Sequence, residues 1–247
     1  KVNNFLLLIL IVSGSYWFFR EDSLKVKGVE GESEFSYILH VTQGDKKKSK
    51  LAMIVALHGN GDTPSAFYDT FMKGFPRPAR IILIKGPIKY NGGRIGGSAW
   101  PIRKSSETKK TGEEIHQIIE TLRYRYPTIS DPIVLGFSGG AVMSYYLAAN
   151  YPSSYSYISP LSGLLDLNLF SNEELEPDTS TKVIAFHGKS DSVLHFQNAK
   201  QTADKLGELG LYVEFNDFEG GHTGAFTVAK EEIFQKLEEA VDDLVSR

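Results

Sequence analysis

The sequence predicts an α/β protein with one mostly parallel sheet and helices on both faces. The first observation is an alternation along the chain. Short, continuously apolar runs typical of buried strands are separated by capped or amphipathic segments typical of helices. The second observation is size, since 247 residues with 41% hydrophobic content suffice for one sizeable core. Neither an internal repeat nor a second domain boundary interrupts the alternation.

The strands are predicted from apolar runs bounded by glycine, proline or polar residues. The clearest run is LAMIVAL at 51–57, which ends at His58-Gly59. The other predicted strands cover 35–41, 80–87, 132–137, about 155–160, 182–188 and 211–218. Because ligands bind beyond the carboxyl ends of the strands in such sheets, we expect the chemistry on the loops that follow them.

The helices between these strands are predicted from capping signals and periodicity. Thr63 followed by Pro64 is typical of a helix start, and Gly74 marks the end of that helix. Thr111 and Glu114 have the spacing of a capping box and precede an apolar stripe, which predicts a helix beginning at Thr111. Further helices are predicted over 139–150, about 196–209 and 225–245.

Residues 1–20 stand apart from this alternation. The apolar run FLLLILIV at 5–12 is extended by SGSYWFF to residue 19, which is shorter than a full membrane span. We interpret residues 5–19 as an export signal or a short membrane anchor, which predicts an exported or membrane-anchored protein. The alternative is that this segment packs on the domain, or that it packs on a second copy of the chain and so forms a homodimer. Residues 21–34 are interpreted as a polar linker, and 35–247 as one α/β domain.

Composition narrows the classes of function. The net charge of −3 indicates no nucleic-acid partner. The absence of cysteine excludes disulfides, thiolate metal sites and a cysteine nucleophile. No metal or other cofactor is predicted.

Ser138 lies where a predicted strand meets a predicted helix, within Gly136-Phe137-Ser138-Gly139-Gly140. The pattern Gly-x-Ser-x-Gly is weak by itself, so its position matters. A sharp strand-to-helix turn projects the serine hydroxyl above the sheet edge, and glycine is needed because flanking side chains would collide. The amides that open the following helix favour negative charge at this point. Ser138 is therefore a candidate nucleophile, with a tight structural turn as the alternative.

A serine hydroxyl is a poor nucleophile unless a base takes its proton, and histidine is the expected base. The chain has six histidines. His222 follows Glu-Gly-Gly on a loop after the last predicted strand, where flexible backbone lets an imidazole reach across the strand ends. We favour His222, and His195 remains the alternative.

The histidine in turn needs an acid that holds its tautomer. Asp191 lies on the loop after the predicted strand 182–188 and precedes His222 in the chain. This gives the order serine, aspartate, histidine that is typical of nucleophiles on such turns. Asp166 and Asp217 remain alternatives, because each also lies in or near the end of a predicted strand.

Hydrolysis of an acyl group also needs hydrogen-bond donors for the oxyanion, each worth about 3–4 kcal/mol. The backbone N–H of Gly139, directly after the candidate nucleophile, is one candidate. The loop LHGNGD at 57–62 offers the second, because two glycines bracket Asn60 and leave its amide free to face the site. A glycine-rich turn without a function is the alternative.

Four motifs together resemble the phospholipase/carboxylesterase family of α/β-hydrolases, which includes acyl-protein thioesterases. These motifs are LHGNGD (57–62), GFSGGAVMSYYLA (136–148), HGKSDSVL (187–194) and EGGH (219–222). The resemblance spans about residue 35 to the C-terminus. It implies an α/β-hydrolase fold with 35–247 as the catalytic domain. It also implies that Ser138, Asp191 and His222 form the triad, and that the amides of Asn60 and Gly139 form the oxyanion hole.

The substrate-binding residues are predicted partly by the same resemblance. GGSAWP at 96–101 is similar to the family's tryptophan-containing loop, which places Trp100 close to the substrate. The apolar run at 164–170 is predicted to line an acyl pocket through Leu164 and Leu165, with a core helical turn as the alternative. Only 17 residues separate Gly163 from Thr181, so no separate lid domain is expected.

Two features depart from the family pattern. Family members commonly carry glutamine directly after the serine, where this chain has Gly139. The change removes a side chain but leaves the backbone N–H. The apolar segment 5–19 also lies outside the usual catalytic domain.

The predicted function is that of a serine carboxylesterase. It would hydrolyse small-molecule esters with short to medium acyl chains through an acyl-enzyme intermediate. An acyl thioesterase or lysophospholipase would use the same triad. A membrane-tethered binding scaffold is the alternative from another class, but it would have no physical need for a nucleophile, a base and an acid together.

Overall fold

The fold is described by a computed structural model that covers residues 22–28, 31–44, 48–170 and 181–247. Eight strands of these residues form one sheet in the order β1-β2-β4-β3-β7-β8-β9-β10. They are β1 (Asp22–Gly28), β2 (Gly31–Val41), β3 (Ala52–Leu57), β4 (Ala79–Ile84), β7 (Ile133–Phe137), β8 (Tyr157–Leu161), β9 (Lys182–Gly188) and β10 (Tyr212–Phe218). Two short strands, β5 (Ile88–Lys89) and β6 (Ser98–Ala99), pair with each other in a separate hairpin.

The sheet is parallel from β4 to β10, and β1 and β2 form its antiparallel edge. Five α-helices accompany the described strands. They are α1 (Pro64–Phe67), which continues into a π-helical turn (Tyr68–Met72), α2 (Ser105–Arg125), α3 (Gly139–Asn150), α4 (Phe196–Glu208) and α5 (Lys230–Ser246). The predicted α/β-hydrolase fold, with a mostly parallel sheet, is therefore confirmed.

The two faces of the sheet pack into two separate apolar clusters. Along β3, Met53, Val55 and Leu57 belong to the cluster that includes α2, α3 and α4, whereas Ile54 and Ala56 belong to the cluster that includes α1 and α5. Because consecutive residues of a strand point to opposite faces, a fully apolar strand is needed to cover both. Helices therefore lie on both faces, and the strand ends remain available for a site.

Residues 22–28 and 31–34, interpreted from the sequence as part of a linker at 21–34, instead belong to two paired β-strands. β1 pairs antiparallel with β2, and Leu24 lies opposite Phe35 in the register. Both side chains are buried, at 6% and 2% exposure. The linker interpretation was wrong because apolar and charged residues alternate here, with Lys25 and Glu34 exposed beside the buried Leu24 and Phe35.

The start of α2 was also predicted wrongly. Thr111 and Glu114 do not cap the helix but lie inside it and are buried, because α2 already begins at Ser105. Glu114 accepts a hydrogen bond from Ser33 Oγ at 2.6 Å, a contact between the helix and the hairpin. The first turns of α2 are polar, so the sequence shows no apolar periodicity there. The last helix, in contrast, begins later than predicted, at Lys230, because 222–226 form a 3₁₀ turn.

Two further predictions concern segments that the structure describes in part or not at all. The apolar segment 5–19 lies outside the described residues. Within the described residues, no helix combines the length and hydropathy that a membrane span requires. Between β8 and β9, the described part contains a short 3₁₀ turn (Leu167–Leu169), and 171–180 lie outside it.

Candidate active site

Ser138 lies on the turn between β7 and α3, with φ 53° and ψ −115°. Its backbone N–H donates to the carbonyl of Leu161 on β8 at 3.0 Å, which fixes the turn against the neighbouring strand. A Cβ on Gly136 would lie 2.2 Å from the carbonyl oxygen of Gly140, and one on Gly140 would lie 2.1 Å from that of Leu57. The flanking glycines are thus needed because backbone approaches too closely for a side chain. The predicted strand–turn–helix at Ser138 is confirmed.

His222 connects Ser138 to Asp191 through two hydrogen bonds. Its Nε2 lies 2.8 Å from Ser138 Oγ, and its Nδ1 lies 2.8 Å from Asp191 Oδ2. A carboxylate only accepts, so Nδ1 carries the proton and Nε2 presents a lone pair to the serine hydroxyl. The structure therefore brings together the three side chains that the sequence pointed to, in the tautomer that lets the histidine act as a base.

The Asp191 carboxylate is held in place by several donors. Its Oδ1 accepts the backbone N–H groups of Val193 and Leu194 at 2.8 and 2.9 Å. His187 Nε2 lies 3.3 Å from its Oδ2. The residue is only 4% exposed, so these hydrogen bonds replace those to water and fix the direction in which the carboxylate faces His222.

His222 opens the 3₁₀ turn that follows β10 (His222–Phe226). The preceding Gly220 has φ 156°, a backbone conformation that favours glycine. A Cβ on Gly188 at the end of β9 would lie 2.5 Å from the Gly220 carbonyl oxygen. The two loops therefore approach closely enough to place the imidazole over the strand ends only because both carry glycine.

The alternative base and acids do not lie in this arrangement. His195 occupies the N-cap position of α4. Asp166 caps the short turn after β8 through the N–H of Asn168 at 3.0 Å. Asp217 pairs with Lys189 at 3.1 Å. The contacts of the two aspartates therefore account for their positions, and His195 makes no side-chain hydrogen bond to the helix that it precedes.

The two residues that carry the candidate oxyanion donors are neighbours in space. Asn60 follows β3, and a Cβ built on Gly139 would lie 2.3 Å from Asn60 Oδ1. Among the backbone hydrogen bonds of the described residues, none uses the N–H of Asn60 or of Gly139. For Gly139 this is expected, since the first N–H groups of a helix have no partner within it.

With this geometry established, comparison with known proteins gives the family. Residues 38–231 match the family model described as phospholipase/carboxylesterase. The chain belongs to the phospholipase/carboxylesterase family. A probable carboxylesterase from rice, Oryza sativa subsp. japonica, is 27% identical over 123 residues, which are 49% of this chain and 52% of the relative. The chain thus spans about half the length of that curated relative.

Solved structures are similar to this phospholipase/carboxylesterase-family protein in fold. The carboxylesterase of Mesorhizobium loti matches with a TM-score of 0.68 and 17% identity, over 83% of this chain and 94% of that one. Acyl-protein thioesterase 2 of Zea mays matches with a TM-score of 0.59 and 23% identity, over 82% of this chain and 98% of that one. Both likenesses support the α/β-hydrolase architecture.

The predicted substrate-binding residues of this family member are mostly buried. Trp100 is 1% exposed, and its indole N–H donates to the carbonyl of His58 at 2.7 Å. Leu165 is 2% exposed within the apolar cluster, whereas Leu164 is partly exposed. Contact between these residues and substrate stays a prediction, and Trp100 and Leu165 would have to move to make it.

Two buried histidines join loops around the site, and the sequence reasoning gave them no role. His58 Nε2 accepts the N–H of Gly86 and lies 3.1 Å from Ser98 Oγ, so it connects three loops. His187 Nε2 donates to the carbonyl of Leu194 at 2.7 Å, beside the Asp191 carboxylate. The sequence signal for this role was the dipeptide His-Gly, which occurs at the ends of both β3 and β9.

A cavity of about 580 Å³ also lies at this end of the sheet. Among the described residues, its lining includes Phe35, Lys85, Gly86, Tyr90 and Arg94, and none of the three triad side chains. The hydrogen bonds, rather than this cavity, therefore locate the candidate active site. Within the described part of the chain, no three His, Asp or Glu side chains form a group that could hold a metal ion.

Two buried histidines and the half-buried His116 make the folded state sensitive to acid. Burial lowers the pKa of His58, His116 and His187 below the usual value. At these three positions the unfolded chain, in which a histidine titrates at about 6.5, therefore binds more protons than the folded protein below that pH. We expect the free energy of unfolding to decrease as the pH falls from about 7.5 to about 5.5, measured by urea denaturation.

His116→Gln isolates one part of this effect. The histidine Nδ1 lies 2.8 Å from Tyr155 Oη, and glutamine keeps a polar group there but cannot titrate. The variant should lose less stability over the same pH interval than the wild-type protein. A urea midpoint that does not change with pH in the wild type would contradict the prediction.

Proposed function

We propose that this protein is a serine carboxylesterase that hydrolyses carboxylic esters with short to medium acyl chains through an acyl-enzyme intermediate. The observation that carries the proposal is the chain of two 2.8 Å hydrogen bonds from Ser138 through His222 to Asp191. Membership of the phospholipase/carboxylesterase family supports the same reaction class.

In the acylation step, Ser138 Oγ attacks the ester carbonyl carbon while His222 Nε2 takes the hydroxyl proton. Asp191 keeps the Nδ1–H of His222 oriented and stabilises the imidazolium that forms. The N–H groups of Gly139 and Asn60 donate to the tetrahedral oxyanion. As the intermediate collapses, the bond to the alcohol oxygen breaks, and His222 returns the proton to the departing alcohol.

Deacylation repeats these events with water. His222 takes a proton from the water, whose oxygen attacks the acyl carbon bound to Ser138 Oγ. The second tetrahedral intermediate uses the same two backbone donors. Its collapse breaks the bond to Ser138, releases the carboxylic acid, and returns the proton to the serine. The enzyme therefore ends in the state in which it began.

The accessibility of the triad supports the proposed substrate class. The His222 side chain is 15% exposed and Ser138 is partly exposed, so a small ester can reach the serine. The short connection between β8 and β9 leaves no room for a separate lid domain. Export or membrane anchoring through 5–19 stays a prediction about residues outside the described ones.

An acyl thioesterase is the second candidate. The same attack on a carbonyl carbon would release a thiol in place of an alcohol. Acyl-protein thioesterase 2 of maize has a similar fold, which is the reason to test this candidate. The triad geometry is common to both candidates, so the choice depends on the substrate.

A series of chromogenic p-nitrophenyl esters with acyl chains of increasing length tests the proposal. We expect kcat/KM to be greatest for short to medium chains, because the triad is accessible to a small ester. Matched acyl thioesters with the same chains serve as the comparison. Greater kcat/KM for thioesters, with chains of ten or more carbons preferred, would replace the esterase proposal by the thioesterase.

A further inference from the structure

The side chain of Asn60 lies between Gly139 and the backbone of Trp100. Its Oδ1 accepts the N–H of Trp100 at 2.8 Å, and its Nδ2 donates to the carbonyl of Trp100 at 3.3 Å. The side-chain amide thus pairs with both the backbone N–H and the backbone carbonyl of Trp100, as the backbone of an adjacent β-strand does. We call these two hydrogen bonds the Asn60 clamp.

Further hydrogen bonds join the same two loops. The N–H of Gly61 donates to Ser98 at 2.8 Å, and the N–H of Ser98 donates to Asp62 at 3.0 Å. The Trp100 indole N–H donates to His58 on the other side of Asn60. The loop at 96–101 therefore holds the loop at 57–62 along its length, and the Asn60 clamp is the contact next to Gly139.

The space taken by this side chain explains why residue 139 is glycine. A Cβ at Gly139 would lie 2.3 Å from Asn60 Oδ1 and 2.7 Å from its Cγ. Carbon and oxygen do not approach so closely without one of them moving. A larger side chain at 139 and the Asn60 clamp therefore exclude each other. This accounts for the departure from the glutamine that the family resemblance leads one to expect.

We propose that the Asn60 side chain is a positioning residue for the oxyanion hole. By holding the backbone of Trp100, it fixes the peptide whose N–H would donate to the oxyanion, and it requires glycine at 139. The inference rests on the proposed function, since it assigns a role in that same site. Asn60 acts here through its own backbone and through Trp100, and its side chain takes no proton.

The kinetic consequence differs from that of a substrate contact. Removing one oxyanion donor costs about 10²–10³ in kcat, so loosening the peptide that carries a donor should cost part of that. The oxyanion exists only in the tetrahedral state, so substrate binding should be nearly unaffected. The Asn60 clamp therefore predicts a fall in kcat at constant KM.

The first test is Asn60→Ala, which keeps the backbone N–H and removes only the clamp. We expect kcat to fall about 10–100-fold with KM changed less than about threefold. A trifluoromethyl ketone, which adds to the serine and places an oxyanion in the hole, should bind more weakly by a similar factor. Asn60→Asp keeps the Oδ1 acceptor but loses the donor to Trp100, and it should also lower kcat without raising KM.

Asn150→Ala is the matched control. The Asn150 Nδ2 donates to the carbonyls of Tyr146 and Leu169 at 2.9 and 3.0 Å, so it too clamps backbone with a side-chain amide. It lies at the far end of α3 from Ser138. This variant should lower the melting temperature while leaving kcat unchanged. If both variants lost stability alike and neither lost kcat, the positioning role would be overturned.

A double-mutant cycle tests the link to Gly139. Gly139→Ala alone should lower kcat at least about 10-fold, because the methyl group displaces the Asn60 side chain. In the Asn60→Ala background, the same change should cost less than about threefold, because the clash is gone. If the fold-reductions in kcat of the two single variants simply multiply in the double variant, the inference is overturned.

Ser138→Ala distinguishes this failure from failure of the proposed function. Hydrolysis that survives Ser138→Ala removes the proposed function, and the positioning role with it. If Ser138→Ala loses hydrolysis but the reductions in kcat at Asn60 and Gly139 simply multiply, only the positioning role is overturned.

Discussion

Replacing Ser138 by alanine is expected to abolish ester hydrolysis, with kcat falling by about 10⁵–10⁶. The substitution removes the oxygen that forms the acyl-enzyme, so His222 has no hydroxyl to deprotonate. The free energy of unfolding should change little, because serine and alanine bear the same strain at φ 53°. Kinetics with a p-nitrophenyl ester, together with urea denaturation, measure the two quantities.

Ser144→Ala is the matched control for this variant. Ser144 lies on the same helix, and its Oγ donates to the carbonyl of Gly140 at 3.0 Å. It has no contact with His222, so its loss should leave kcat within about twofold of wild type. Ester hydrolysis by Ser138→Ala at more than a tenth of the wild-type rate would contradict the assignment of the nucleophile.

Asp191→Asn is expected to lower kcat by about 10⁴. Asparagine has nearly the same shape, and its oxygen can still accept the N–H groups of Val193 and Leu194, so the fold should persist. If the amide nitrogen then faces His222 Nδ1, two donors meet, and the histidine shifts to the tautomer that cannot take the serine proton. Steady-state kinetics on a single ester measure the effect.

Asp217→Asn and Asp166→Asn are the controls, because the sequence alone left both as alternative acids. Asp217 pairs with Lys189, and Asp166 caps a turn. Neither residue has a hydrogen bond to His222, so each variant should keep its kcat within about twofold of wild type. A loss in either of them comparable to that in Asp191→Asn would show that the acid has been assigned wrongly.

The elements nearest the candidate site were the most predictable from sequence. The helix at 139–150 and the strand at 182–188 have the predicted bounds, because Gly139 marks the start of the helix and Gly188 the end of the strand's apolar run. The three triad side chains were identified by the chain order of residues at strand ends. That order reflects a topology in which parallel strands end at one edge.

Other features depend on contacts between distant parts of the chain. The hairpin of β1 and β2 looked like a linker because its charged residues hid the alternation around Leu24, which is buried against the rest of the core. The burial of Trp100 depends on the carbonyl of His58, 42 residues away. The role of Gly139 becomes apparent only when the Asn60 side chain is found beside it. No local pattern encodes these contacts.

The central claim is that His222 activates Ser138 as a nucleophile. Reaction with a fluorophosphonate, followed by intact mass measurement and peptide mapping, tests it most directly, because an activated serine displaces fluoride and keeps the phosphonyl group. We predict one phosphonyl group on Ser138 of the wild-type protein and almost none on the His222→Ala variant. A wild-type protein that stays unlabelled, or that carries the label on another serine, would contradict the claim.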